Sequence, residues 1–163
     1  MKVLAGVDWL ARERSSSQGA AGDRSAPTSQ TKIGVIGWGE GGLMALYAAA
    51  LDPRIDAACV SGYFDDRQSI WQQPIDRNVF GLLEQFGDAE LASLIAPRPL
   101  VIEAAQGPEV VLSGKGGGAP ARLATPSLAD VRREFERAKS LVKGWSAAPR
   151  LELVVSGDGA GPY

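Results

Sequence analysis

The feature that most constrains the fold of this chain is a glycine-rich turn between a short apolar run and a helix-forming segment. Lys32–Ile36 (KIGVI) is short and apolar, which is typical of a buried parallel strand. It leads through Gly37–Gly42 (GWGEGG) into Leu43–Leu51 (LMALYAAAL), and Pro53 ends the predicted helix. A strand, a tight turn and a helix in this order begin a βαβ unit, so the pattern predicts a parallel sheet.

The rest of the chain continues this alternation of strands and helices. Residues 15–31 and 105–126 are rich in Gly, Pro and Ser and predict flexible loops, and Thr125-Pro126 predicts the start of the last helix. We therefore expect one α/β domain over residues 1–163, with a parallel sheet of about four strands and flanking helices. The predicted strands are Lys32–Ile36, Ile55–Ser61, Pro99–Ala104 and Leu151–Val155, and the predicted helices lie at 2–13, 43–51, 77–86, 88–95 and 127–143.

Composition excludes several kinds of site from this chain. It has no histidine, which excludes a Ser-His-Asp or Cys-His catalytic set and a His-ligated metal. Its single cysteine, Cys59, excludes an intrachain disulfide, a Cys-based zinc site and an Fe–S cluster. The net charge of −2 argues against nucleic-acid binding, and no apolar run approaches the length of a membrane span. We expect no cofactor, no metal, no nucleic acid and no membrane partner, and without a recognisable signal peptide the compartment is left open.

The glycine turn fits two functional templates, of which the first is the dinucleotide fingerprint G-x-G-x-x-G. Gly37–Gly42 matches it, and the chemistry would place a pyrophosphate on backbone N–H groups at a helix N-terminus. The fingerprint also needs an acidic residue at the end of the next strand, to bind the ribose. That strand ends in Val60-Ser61-Gly62, so the dinucleotide fingerprint is incomplete.

The second template is the nucleophile elbow G-x-S-x-G, which also joins a strand to a helix. Gly37, Glu40 and Gly41 fit this pattern, and Gly39 stands where the elbow has its nucleophile. The elbow forces its central residue into a strained backbone conformation, which glycine adopts at little cost because it has no Cβ. The turn can therefore persist in a chain that lacks the nucleophile.

Two longer stretches resemble the second half of α/β-hydrolases of the dienelactone hydrolase and acetyl xylan esterase type. They are IGVIGWGEGGLMALYAAALDPRIDAACVSGYF and RNVFGLLEQFGDAELASLIAPRPLVIEA, and the resemblance covers roughly residues 1–112. It implies a triad in the order Ser, acid, His. It places the nucleophile at Gly39 and the acid after the PLVIEA strand, at Glu109 or, as second choice, Glu103. It places the histidine after LELVV, where 156–163 contain none, and the oxyanion loop before residue 1.

The resemblance therefore implies an esterase-like domain, partial or degenerate, that is inactive on its own. An alternative is a ligand-binding or scaffolding domain with its cleft at the carboxyl edge of the sheet. Tyr63, Phe64 and Trp71 would either wall that cleft or pack as a cap over the sheet edge. The partner expected for such a cleft is a small ester-type ligand. Ile33, Val35 and Ile36 form an apolar run without a charge or proline inside it, so we also expect self-association or an N-terminal partner segment at this edge. The alternative is that the loop at 15–31 folds back and covers the edge.

Overall fold

Four parallel strands form the central sheet in the computed structural model of this chain, which describes residues 2–20, 32–115 and 119–157. The sheet strands are β1 (Gly34–Trp38), β2 (Ala57–Ser61), β3 (Leu100–Ala104) and β6 (Leu151–Val155), and the helices are α1 (Lys2–Ala20), α2 (Glu40–Leu51), α3 (Asp88–Ile95) and α4 (Leu128–Leu141). A hairpin of β4 (Val110–Ser113) and β5 (Pro120–Leu123) and three short 3-10 turns, Ile70–Gln72, Ile75–Arg77 and Leu82–Glu84, complete the described elements.

The sheet order is β1-β2-β3-β6, and every pairing in it is parallel. The carboxyl ends of all four strands therefore lie at one edge of the sheet, where α/β proteins place their sites. This confirms the predicted α/β class with a parallel sheet of four strands and flanking helices. Within the described ranges, no helix has the length and apolar character that a membrane span requires.

The two faces of the sheet differ in their cover. Helix α2 packs against β1 and β2, and α3 packs against α2 and α4, so the helices lie over one face. The row Gly37, Val60, Ile102 and Leu153 points toward this covered face, and Val60 and Ile102 are fully buried there. The next row along the strands, which alternates to the opposite face, contains Ile36, and its side chain is 78% exposed. We call this second surface the open face.

Several sequence-based boundaries are wrong in detail. Helix α1 continues to Ala20, so the loop predicted at 15–31 is wrong for 15–20, and its remainder lies outside the described residues. The predicted loop at 105–126 contains the β4–β5 hairpin, whose exposed strands lack the clean alternation that signals a strand. Strand β1 begins two residues later than predicted, and the turn after it is correspondingly shorter.

Two helix predictions also need correction. Residues 77–86 do not form a helix but 3-10 turns, because Gly81 takes a left-handed φ of 74° that interrupts the segment. Helix α4 begins after Ser127, whose side-chain oxygen accepts a hydrogen bond from the Asp130 N–H at 3.1 Å. Ser127 is therefore the N-cap in place of the predicted Thr125-Pro126 pair.

Candidate active site

The glycine turn forms a sharp junction between β1 and α2. Gly39 has φ 54° and ψ −116°, a conformation that L side chains rarely adopt. Its N–H donates to the Ser61 carbonyl at 2.9 Å, and its own carbonyl accepts from the Leu43 N–H at 3.0 Å. The turn is thereby bonded to the end of β2 on one side and to the first turn of α2 on the other.

Gly37 is required by a close backbone approach. A Cβ on Gly37 would overlap the carbonyl group of Gly41, four residues later, whereas a Cβ on Gly41 would meet open space. The strand end and the helix start therefore lie so close together that position 37 has no room for a side chain. Gly39 lies between the end of β1 and the start of α2, as the sequence predicted.

Pro108 occupies the space above Gly39. A Cβ on Gly39 would lie 2.6 Å from the Pro108 Cδ and 2.8 Å from its Cγ, closer than real Cβ contacts. Gly39 is buried accordingly. The position that the resemblance assigns to a nucleophile thus has no side chain and is closed by a proline ring.

The loop that carries Pro108 is anchored on both sides. The Trp38 indole N–H donates to the Gln106 carbonyl at 2.7 Å, and the Gly107 N–H donates to the Thr125 hydroxyl oxygen at 3.2 Å. The same hydroxyl donates to the Glu109 carboxylate at 2.8 Å. Glu109, the predicted acid, is exposed. It directly follows Pro108, the residue that covers Gly39, so one proline separates the two predicted site residues.

Glu103, the second choice for the acid, lies on the open face near the end of β3. Its carboxylate accepts a hydrogen bond from the Ser156 hydroxyl at 2.5 Å. This bond, together with the nearby Ser61 hydroxyl, holds the pKa of Glu103 below its usual range. Burial raises the pKa of the neighbouring Cys59 thiol, and the Glu103 charge adds to that effect, so Cys59 is kept in the thiol form that is a poor nucleophile.

The aromatic cleft expected at this edge is not formed. Tyr63 and Phe64 belong to the buried core, whereas Trp71 is 74% exposed. The space lined by Gly62, Tyr63 and Pro108 is only about 10 Å³, the size of a single water site. Of the two arrangements that the sequence allowed for these aromatics, the structure has the packed cap over the sheet edge and not the ligand cleft.

Two buried arginines hold this cap. Arg67 donates to Asp88 at 2.8 Å and 3.0 Å and to the Tyr63 carbonyl at 2.6 Å, and its guanidinium lies 3.6 Å from the centre of the Tyr63 ring. Arg77 is paired with Glu40, the first residue of α2, and also donates to Gln73 at 3.0 Å. The sequence reasoning missed both arginines. The sequence gives only an indirect signal for them. Arginines rarely become buried unless they are paired, and the sequence shows neither the burial nor the pairing.

Burial also perturbs a carboxyl group in the cap. Desolvation raises the pKa of Asp65 to about 6, although the Asp66 N–H donates to this carboxylate at 2.8 Å and opposes the shift. No group of three or more Cys, Asp and Glu side chains is arranged to hold a metal ion in the described ranges. The residues that meet at the carboxyl edge thus form a closed, hydrogen-bonded cap over an elbow backbone.

The comparisons with known proteins agree with this geometry at the level of the fold. No protein-family model matches the chain. A 75-residue stretch is 44% identical to the Bacillus subtilis (strain 168) protein named "Putative hydrolase YtaP", and the match covers 42% of this chain and 25% of that protein. The Pyrococcus furiosus esterase Pf2001 superimposes with a TM-score of 0.53 at 16% identity, over 95% of this chain and 51% of that one. A glucuronoyl esterase from Solibacter usitatus superimposes with a TM-score of 0.48 at 13% identity, over 94% and 43%.

The chain shares its fold with the Pyrococcus esterase, and the matches to an esterase structure and to a putative hydrolase agree with the resemblance seen in the sequence. The chain spans about half the length of that esterase, and the sequence match covers about a quarter of the curated relative.

Proposed function

We propose that this chain is an esterase-like α/β-hydrolase domain that keeps the elbow backbone but does not hydrolyse esters on its own. The observation that carries the proposal is the contact at Gly39, where the Pro108 ring fills the space that a nucleophile side chain would need. Acyl transfer at an elbow requires a nucleophile that can reach a bound carbonyl. Here the position lacks the nucleophile, and the proline also closes the approach.

The missing general base supports the same conclusion. The chain contains no histidine, and the hydroxyls of Thr125 and Ser156 each donate to a carboxylate. Thr125 is bonded to Glu109 and Ser156 to Glu103, and neither pair has the histidine that would carry a proton from the hydroxyl to a leaving group. Glu109 is assigned the position of the triad acid, without the histidine that such an acid would orient.

A direct test is hydrolysis of 4-nitrophenyl acetate by the full chain. We expect the rate to equal that of buffer alone, for the chain and for Glu109→Gln. Saturable turnover above the buffer rate would contradict the proposal. If that turnover were lost in Glu109→Gln but kept in Glu136→Gln, a matched change at an exposed carboxylate of α4, the catalyst would be a water activated by Glu109.

The nucleotide and cleft-ligand alternatives are not favoured by this geometry. A pyrophosphate at the glycine turn would have to occupy the space above Gly39, and Pro108 fills that space. An ester-type ligand at the carboxyl edge would find a space of about 10 Å³ lined by residues such as Tyr63. Both ligands would require the loop around Pro108 to leave its hydrogen bonds with Trp38 and Thr125.

We also propose that the open face and the outer side of β1 bind a polypeptide, either a second copy or a segment N-terminal to β1 in the hydrolase fold. Parallel sheets occur almost only with both faces covered. On this sheet Ile36 is 78% exposed and Trp38 is 48% exposed, and within the described part of the chain β1 is an edge strand, which carries no charge or proline. Such a strand favours addition of another chain.

Sedimentation velocity over a range of concentrations tests the partner proposal. We expect association that increases with concentration and that Ile36→Lys reduces, because a lysine on an edge strand disfavours strand addition. Val111→Lys, a change at an equally exposed position of the hairpin, is the matched control and should leave the association unchanged. A single 17.1 kDa species at every concentration would contradict self-association. If a separately supplied N-terminal segment also failed to bind, the proposal that such a segment covers β1 would be rejected as well.

A further inference from the structure

An apolar pocket lies on the side of α2 that faces away from the sheet. It has a volume of about 380 Å³ and is lined by residues of α1, of α2 and of the Ile75–Arg77 turn with Val79 just after it. Its apolar walls are formed by Val3, Leu43, Met44, Tyr47, Ala48 and Val79. This volume and this lining are those of small-molecule sites in proteins, and the pocket shares no residue with the elbow or the Pro108 loop.

The walls suit a flexible hydrocarbon chain. Leucine, valine and methionine supply four of the six apolar wall residues, and methionine adapts its shape to an irregular apolar partner. Met44 is 54% exposed and Val79 is 56% exposed, so apolar area at both positions is available to be covered. Removing such area from water is favourable at about 25 cal/mol per Å².

Charged groups of both signs lie at the rim of the pocket. Lys2 and Arg77 bring two cations, and Asp76 brings a carboxylate. The Arg77 guanidinium is already paired with the Glu40 carboxylate, which does not line the pocket, so Lys2 and Asp76 are the charges that a head group would meet. A charged head group would meet a like charge there, whereas an uncharged hydroxylated head group could both donate to the carboxylate and accept from the ammonium.

We propose that this pocket binds an uncharged single-chain amphiphile with a hydroxylated head group, of the monoacylglycerol class. The alkyl chain lies against Leu43, Met44 and Val79, and the glycerol hydroxyls lie at the rim between Lys2 and Asp76. Ile75 and Phe80 next to the turn are 79% and 100% exposed, so a longer chain would continue over apolar surface. The site is independent of the ester chemistry considered for the elbow.

The two methionines of the chain provide a direct test. Met1 and Met44 give two signals in a protein labelled with [13C-methyl]methionine, and only Met44 lines the pocket. We expect monooctanoylglycerol, below the concentration at which it aggregates, to shift the Met44 signal saturably. Octanoate and octyltrimethylammonium should bind at least about tenfold more weakly, because each brings one uncompensated charge to the balanced rim.

A pair of matched variants separates the pocket from general apolar surface. Val79→Glu puts a carboxylate on the pocket wall and keeps the Met44 reporter, and it should weaken binding by about tenfold or more. Val111→Glu makes the same change at an exposed position of the hairpin and should leave the affinity within about twofold. The proposal is overturned if Met44 does not shift, if the three amphiphiles bind equally well, or if both variants bind like the original chain.

Discussion

The two faces of the sheet differ in their surroundings. On the covered face, the row through Val60 and Ile102 is buried and α2 packs on β1 and β2, and the cap after β2 contains the buried Arg67–Asp88 ion pair. On the open face, Ile36 and Trp38 are exposed, and Glu103 is satisfied by a serine hydroxyl. The comparison indicates that the covered side carries the stability of this chain and that the open side is available for association.

The largest expected effect on the free energy of unfolding comes from the buried Arg67–Asp88 ion pair of the cap after β2. Arg67 and Asp88 have side-chain exposures of 4% and 1%, so Arg67→Met would leave the Asp88 carboxylate buried without its partner. We expect a loss of about 3–5 kcal/mol in the free energy of unfolding, measured by urea denaturation. Lys139→Met, which breaks an exposed pair with Glu136, should lower the free energy of unfolding by less than about 1 kcal/mol. Equal losses in Arg67→Met and Lys139→Met would contradict the expected difference between the buried and the exposed ion pair.

The same substitution on the two faces gives the next largest contrast. Ile102 is fully buried on the covered face and Ile36 is 78% exposed on the open face. Ile102→Ala should lower the free energy of unfolding by about 2–5 kcal/mol, since it leaves a cavity under α2 and α3. Ile36→Ala should change it by less than about 0.5 kcal/mol under dilute conditions, where association does not contribute. A large loss at Ile36 in a dilute sample would show that the open face is covered in the monomer.

A smaller contrast appears in the pH dependence of two carboxyl groups. Burial raises the pKa of Asp65 to about 6, so between about pH 4 and 6 the folded chain holds a proton that the unfolded chain has released. The Asp65 contribution to stability is therefore lost as the pH rises through that window, and Asp65→Asn removes this loss.

Glu103 behaves in the opposite sense because the Ser156 and Ser61 hydroxyls lower its pKa. Its contribution is present above the ordinary glutamate pKa and is lost as the pH falls through the folded-state value. The test is the unfolding temperature measured from pH 3 to 7. Asp65→Asn should flatten the decline of this temperature with rising pH, and Glu103→Gln should flatten its rise. Parallel curves for both variants and the original chain would contradict these assignments.

The sequence was sufficient for the sheet, because its four strands are short apolar runs separated by helix patterns. It was also sufficient for the place of the glycine turn, since the requirement for Gly37 comes from the Gly41 carbonyl only four residues later. It was not sufficient for the closure of the site. That closure depends on Pro108 reaching Gly39 from a loop 69 residues away, and such a contact leaves no periodic signal.

The sequence could not decide between a ligand cleft and a packed cap for a similar reason. Tyr63, Phe64 and Trp71 look alike in the sequence as aromatics near a sheet edge, but only the first two are buried. Their placement is decided by Arg67, which stacks on Tyr63 and pairs with Asp88 of α3. Long-range ion pairs of this kind depend on tertiary packing, and the sequence shows only that the charges are present.

The central claim is that the elbow backbone remains while its nucleophile position is closed. The most direct measurement is intact mass after incubation of Gly39→Ser, alone and combined with Pro108→Ala, with a fluorophosphonate that labels activated serines. We expect no adduct in either variant, because the single variant meets Pro108 and both lack a general base. A stoichiometric adduct located at position 39 would contradict the account, since it would show an open site with a working base.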